Sequence, residues 1–321
     1  MQTALTTTTQ RTALSLAEDK ARAFAANANA TNTIRAYESD WSQFTAWCEA
    51  RGLPNMPATP ATVALYIADL ASTCKVATIT RRLAAISKAH QAARVESPCA
   101  LKHAEVKAVL SGIKRKLGVK QTGKAALLTN ALRSLIAAIP DTLIGKRDAA
   151  LLLLGFAGGF RRSELVALTV ADIEFCDDGA KVTLIRSKTD QEGQGRVVAV
   201  PHGSNPQLCP VNALRNWLTA AGIADGSLFR EVDRHGNVGQ SALTGQVVGL
   251  VLKKHCAEIG LDVTTFGAHS LRAGMVTQAA INGASVSSIM KQTGHKSIAM
   301  IQRYTRDANL FRDNAAGRLG L

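Results

Sequence analysis

A chain of 321 residues exceeds one average domain, so two are expected, and 46% hydrophobic content is ample for packed cores and excludes global disorder. Lysine and arginine outnumber aspartate and glutamate by 38 to 24, a formal +14, which points to a polyanionic partner, either nucleic acid or an anionic membrane surface. No run of about 18 apolar residues is present to span a bilayer.

In chain order, threonine-rich residues 1–12 read as a flexible tail. Ser15-Leu-Ala-Glu18 has the spacing of a capping box and starts a short helix toward Ala26. This N-terminus lacks the basic start and apolar centre of a secretory signal. A second helix from about Thr31 carries Ile34, Tyr37, Trp41, Phe44 and Trp47 at three-to-four-residue spacing and stops at Gly52. Thr59-Pro60 is an N-cap with proline in the first turn, opening a helix with Val63, Tyr66, Ile67 and Leu70 inside. Two further helices fit VATITRRLAAISKAHQAARV and KHAEVKAVLSGIKRKLG. From Lys75 to Lys124 there are twelve basic residues against two acids, a net +10 of the chain's +14. A charge run is usually a solvated helix face, but an excess this concentrated repels itself unless a partner neutralises it, which favours DNA contact.

Residues 119–126 read as a flexible basic linker, which sets a helical domain at 13–118 and a second domain at 127–321. LTNALRSLIAAI and KRDAALLLLGFAGG read as helices, the second apolar enough to be buried. KVTLIR and RVVAVP read as strands flanking a polar, glycine-bearing hairpin loop. Helical periodicity returns at VNALRNWLTAAG and TGQVVGLVLKKHCAEIG, and from Ser270 onward as short helices broken at glycines. The expected fold is mainly α with a small antiparallel β-sheet. The six cysteines (Cys48, Cys74, Cys99, Cys176, Cys209, Cys256) form no CxxC pair and match neither a disulfide framework nor zinc spacing, so they read as reduced thiols of a cytoplasmic, nucleoid-associated protein.

Four short pieces carry chemistry: Phe160-Arg-Arg-Ser-Glu-Leu165, Arg186-Ser-Lys-Thr189, His269-Ser-Leu-Arg272, and Gly294-His295 followed nine residues later by Tyr304. Facing a phosphodiester, Arg161 and Arg272 can clamp the equatorial oxygens by forked hydrogen bonds that strengthen as charge develops. Glu164, one turn from Arg161, orients it; the Arg-x-x-Glu spacing selects Arg161 over Arg162. His269 suits acid–base work on the nucleophile's proton. Lys188, in the hairpin loop, can protonate a leaving alkoxide, and His295 can offer an N–H to the phosphate. Tyr304 is the attacking hydroxyl. Tyr37 and Tyr66 lie on apolar stripes, whereas Tyr304 sits among charges. Taken singly, each has an ordinary structural reading: Arg-x-x-Glu a surface ion pair, His269 a core histidine, Lys188 a solvated loop charge. It is their joint order that carries the signal.

At these residues the chain resembles the tyrosine recombinase, or phage integrase, family, whose signature Arg…Lys…His-x-x-Arg…His/Trp…Tyr falls on Arg161, Lys188, His269, Arg272, His295 and Tyr304, with Glu164 at the accompanying acidic position. PATPATVALYIADLA with VATITRRLAAISKAH is similar to the core-binding, SAM-like domain of Cre-type recombinases, and SLFREVDRHGNVGQSALTG to their segment leading to a DNA-reading helix. The resemblance implies a C-shaped clamp on double-stranded DNA at an inverted-repeat site. It also implies a homotetramer on two sites from protomers that are monomeric or weakly associated off DNA, exchange through a Holliday junction, and a C-terminal tail packing in trans. It implies no metal, ATP or other cofactor; the sequence likewise has no carboxylate cluster for magnesium and no GxxxxGK[ST] loop. Expected DNA contacts are Thr78, Thr80, Arg81, Arg82 and Lys88 on one helix, Lys114, Arg115 and Lys116 on the next, and Ser241, Thr244 and Gln246 in the second domain. The rival readings are a type IB topoisomerase, a catalytically inactive DNA-binding regulator, and a membrane-surface protein, the last without an amphipathic helix of aromatic face to support it.

Overall fold

The computed structural model describes residues 31–100, 102–119, 123–185 and 195–305, together with Ser15, Ala17 and Leu319. Two compact units divide the chain, residues 1–122 and 123–321. Ser15 and Ala17 are helical; the rest of the expected helix toward Ala26, the whole tail of residues 1–12 and residues 120–122 of the linker lie outside the described residues.

In the first unit α1 (Thr31–Glu49), α2 (Pro60–Leu70), α3 (Val76–Ala92) and α4 (Ala104–Leu117) enclose one apolar core. The aromatic spacing in α1 works as expected: Phe44 is buried, and it and Trp47 meet Tyr66 of α2 edge-on, at centroid distances of 5.0 and 5.1 Å. Thr59 caps α2 by accepting from the Thr62 amide at 3.1 Å. Buried His90 of α3 accepts through Nε2 from the Ala58 amide, tying the loop before α2 to α3.

The second unit is built around α6 (Leu143–Ala157), which is buried on nearly every side as its apolar run requires. It starts three residues before the KRD segment, because Thr142 supplies the cap, accepting from the Gly145 amide at 3.1 Å. Around it pack α5 (Thr129–Ala138), α7 (Arg162–Ala167), α8 (Pro210–Ala221), α9 (Gly245–Glu258) and α10 (His269–Ile281), followed by α11 (Val286–Thr293) and α12 (Ile298–Thr305). A buried ion-pair chain braces this packing: Arg147 donates to Asp148 on α6, which meets His255 Nε2 of α9 at 2.9 Å.

The expected hairpin is present, with β2 (Gly179–Leu184) antiparallel to β3 (Arg196–Pro201) and Val182 opposite Val198. Ala180, Val182 and Leu184 face the core while Lys181 and Thr183 face out. The sequence reading missed β1 (Ile173–Cys176), a third strand pairing β2, and a second hairpin of β4 (Arg230–Val232) and β5 (Val238–Ala242). Both are short and carry charges, so their alternation is weak. The fold is mainly helical with two small antiparallel sheets.

Candidate active site

Five pieces of the second unit converge. The turn after α6 supplies the Gly159 carbonyl; the start of α7 supplies Arg161 and Glu164. The start of β3 supplies Arg196, α10 supplies His269 and Arg272, and the turn after α11 together with α12 supplies His295 and Tyr304. Arg161 occupies the cap position of α7, and Glu164 folds back to accept from its backbone amide at 2.9 Å and from its Nη1 at 2.5 Å. The same carboxylate, 1% exposed, lies 3.6 Å from Arg196 Nη2, so one buried acid serves two arginines. Arg162 is exposed.

His269 and Arg272 are one helical turn apart on α10 and share a face. His269 Nε2 lies 2.5 Å from Tyr304 Oη, and Thr277 of the same helix donates to the Tyr304 carbonyl at 3.1 Å. Arg272 is 1% exposed; its Nη1 donates to the Gly159 carbonyl at 2.5 Å and its Nη2 to His295 Nε2 at 3.1 Å. The sequence reading has His295 offering an N–H to a phosphate, whereas in this structure Nε2 receives one from Arg272. The His295 and Tyr304 rings lie 6.0 Å apart between centroids.

The cluster is strongly cationic, and its titration follows. Burial first, then Arg161 nearby, lowers Arg272 to about 10. Burial, then Arg272 and Arg161, pushes His295 down to about 4. Desolvation, then Arg272, Arg161 and Arg303, holds His269 below the usual imidazole range. Both imidazoles are therefore neutral near neutral pH, and a phosphate anion placed here meets preorganised donors.

Lys188 lies outside the described residues; the strands β2 and β3 that bracket it are described, and β3 begins at Arg196 beside Glu164. Two residues at the site escaped the sequence reading. Arg196 sits at a strand start with no spacing signal, yet its Nη1 donates to the Gln292 carbonyl at 2.8 Å, and its guanidinium lies over Gly294, where a Cβ would meet Nε at 3.0 Å. That contact and a φ of +66° explain the glycine before His295. Thr293, fully buried, contacts His295 Nδ1 at 2.7 Å; only the Thr-Gly-His adjacency hinted at it.

The expected DNA contacts fall in both units. Thr80, Lys88, Lys114, Arg115, Lys116, Ser241, Thr244 and Gln246 are exposed, and Thr78 is half-buried. Arg81 is half exposed but forked onto buried Asp40 of α1, at 2.9 and 3.0 Å. Arg82 turns inward, donating to Tyr66 Oη at 2.9 Å and to Gln43 at 2.5 Å, so its donors brace α1, α2 and α3. Among the described residues no cluster of metal-ligating side chains occurs, and no helix is long and apolar enough to cross a membrane.

Residues 126–310 match the family described as the phage integrase family. The chain is 40% identical over 304 residues to an integrase/recombinase xerD homolog of Selenomonas ruminantium, covering 94% of this chain and 89% of that one. In fold it is similar to the XerH site-specific recombinase bound to palindromic difH substrate, with a TM-score of 0.61 at 17% identity, covering 81% of this chain and 72% of that one. It is also similar to a lambda integrase tetramer bound to a Holliday junction, with a TM-score of 0.59 at 17% identity, covering 94% and 79%. A family match over more than half the chain, joined to a relative aligned along nearly all of it, settles the assignment: this chain belongs to the phage integrase family, the tyrosine recombinases.

Proposed function

We propose that the chain recombines DNA at a specific site by two rounds of strand transesterification, with Tyr304 as nucleophile. The observation that carries this reading is the 2.5 Å contact between His269 Nε2 and Tyr304 Oη beside the buried Arg272. His269, neutral for the reasons above, takes the phenol proton as Oη attacks phosphorus. The bond to the 5′ oxygen breaks, a 3′-phosphotyrosine forms, and the departing 5′ oxygen receives a proton from Lys188. Arg161 and Arg272 hold the equatorial oxygens, with Glu164 and His295 orienting them. Attack by a 5′ hydroxyl from the partner strand reverses the step. One ester replaces another each time, so bond energy is conserved and no nucleotide hydrolysis is needed.

By the same reading residues 13–118 form a DNA-binding domain, whose exposed Lys88, Lys114, Arg115 and Lys116 contact phosphates. The partner is double-stranded DNA with inverted-repeat arms, acted on in the cytoplasm at the nucleoid. Four protomers, weakly associated off DNA, assemble on two sites and pass through a Holliday junction. The lambda integrase tetramer on a Holliday junction supports this assembly as an analogy of fold. The relatives reported carry Xer and integrase names, so the Cre-type likeness is a proposal confined to the helices of the first unit and the segment before α9.

The test is a plasmid carrying two copies of the site, defined by recovering DNA fragments the protein binds. Deletion or inversion that requires both copies is expected. Relaxation of any supercoiled plasmid without the site would instead mark a type IB topoisomerase, and tight binding with no strand breakage an inactive regulator.

A further inference from the structure

Behind Arg272 runs a chain of hydrogen bonds with one consistent placement of hydrogens. Thr293 Oγ1 lies 2.6 Å from the Ile289 carbonyl and 2.7 Å from His295 Nδ1. A carbonyl oxygen only accepts, so the single hydroxyl hydrogen goes to Ile289; two oxygens this close with no hydrogen between them would repel. Oγ1 then has only lone pairs for the ring, and Nδ1 must carry a hydrogen. At the far side of the ring, Arg272 Nη2 is 3.1 Å from Nε2. A guanidinium has no acceptor, so Nε2 must be bare. The two ends of the chain demand the same tautomer independently.

We infer that Thr293 is a positioning residue: it locks His295 as the Nδ1–H tautomer, and His295, through Nε2, holds the Arg272 guanidinium in place for the scissile phosphate. The role given to Arg272 rests on the recombinase reading; the tautomer does not. Thr293, His295 and Arg272 are 0, 6 and 1% exposed, so water is not at hand to replace any of these partners. With Gly159 taking Nη1 and His295 taking Nη2, the guanidinium is fixed at two corners and presents its remaining N–H groups to phosphate oxygens. The charged and titrating groups acting on the ring are Arg272 and His269 of α10, Arg161 at the start of α7 and Arg196 at the start of β3. All are cations or become so, which keeps the ring neutral and makes its tautomer the variable that matters.

Imidazole nitrogen-15 spectra of the full-length, DNA-free protein test this directly, with the His295 signals identified by their loss in His295→Gln. A hydrogen on Nδ1 and a bare Nε2 are expected in wild type and in Thr293→Ser, and loss of that single state in Thr293→Val. A hydrogen on Nε2 in the wild type at neutral pH would overturn the inference, and that spectrum decides even if the valine variant fails to fold. In single-turnover cleavage of suicide DNA, Thr293→Val should slow the reaction roughly tenfold, as losing about one well-placed buried hydrogen bond does, with half-site affinity unchanged. Thr293→Ser should recover most of that rate. A wild-type rate in the valine variant, or equal slowing in both variants, would contradict the role. If wild type forms no adduct at all, the recombinase reading fails, and the spectra still decide the tautomer.

Discussion

His269 is exposed and yet crowded by cations, and that combination fixes its chemical state. Desolvation by neighbouring atoms and the charges of Arg272, Arg161 and Arg303 all disfavour the imidazolium, so the ring stays neutral further into acid than a free histidine. A base must be neutral to act, so the single-turnover cleavage rate should be flat near neutral pH and fall in acid, with a midpoint below the usual value of about 6.5. An acid limb centred above that value would remove His269 from the base role. Replacement by asparagine should lower the rate and abolish the limb. The residues proposed for this chemistry were legible in the sequence because His269, Arg272, His295 and Tyr304 fall within a short span at fixed separations and Arg161 and Lys188 precede them in order. Arg196 and Thr293 were not, because a strand-opening arginine and a threonine at a helix end are common everywhere; their meaning comes from what the fold sets beside them, Glu164 in one case and His295 in the other.

The elements matter as platforms. Helix α10 carries both His269 and Arg272, and its seat is fixed by a close approach: the Leu127 amide donates to the Ser270 carbonyl at 3.0 Å, and a Cβ at Gly274 would sit 2.0 Å from the Leu127 carbonyl oxygen. A backbone atom cannot yield as a side chain can. Gly274→Ala should therefore shift α10 or displace Leu127, lowering stability by about 1–3 kcal/mol and cleavage by more than half-site binding. Unchanged melting and cleavage would show that the contact relaxes freely. The helices were legible from apolar periodicity and their caps, as at Thr59 and Gly52. The β4–β5 hairpin was not, since its strands are short and set buried Arg230 beside exposed Glu231, Gln240, Ser241 and Ala242, so no apolar alternation marks them. The pairing of Arg81 and Arg82 with Asp40 was likewise not legible, because Asp40 lies two helices earlier in the chain.

At the scale of the whole molecule, charge and assembly dominate. The +10 excess between Lys75 and Lys124 includes exposed Lys88, Lys114, Arg115 and Lys116, so affinity for DNA should fall steeply with salt. Residues 306–321, outside the described set except for Leu319, include Leu310 and Phe311, and the family likeness proposes that this tail packs on a neighbouring protomer. Truncation after Asp307 should leave half-site binding intact and abolish cooperative assembly and recombination, as gel-shift titration would show; unchanged recombination would refute a trans role. Family membership says what class of enzyme this is, but the central claim is narrower, that Tyr304 bonds to DNA. Incubation with a suicide substrate carrying the site measures it most directly. Wild type should accumulate a covalent adduct joined through a 3′ phosphate to the peptide containing Tyr304, and Tyr304→Phe should bind the same DNA yet form none. An adduct surviving in Tyr304→Phe, or mapped to another residue, would contradict the account.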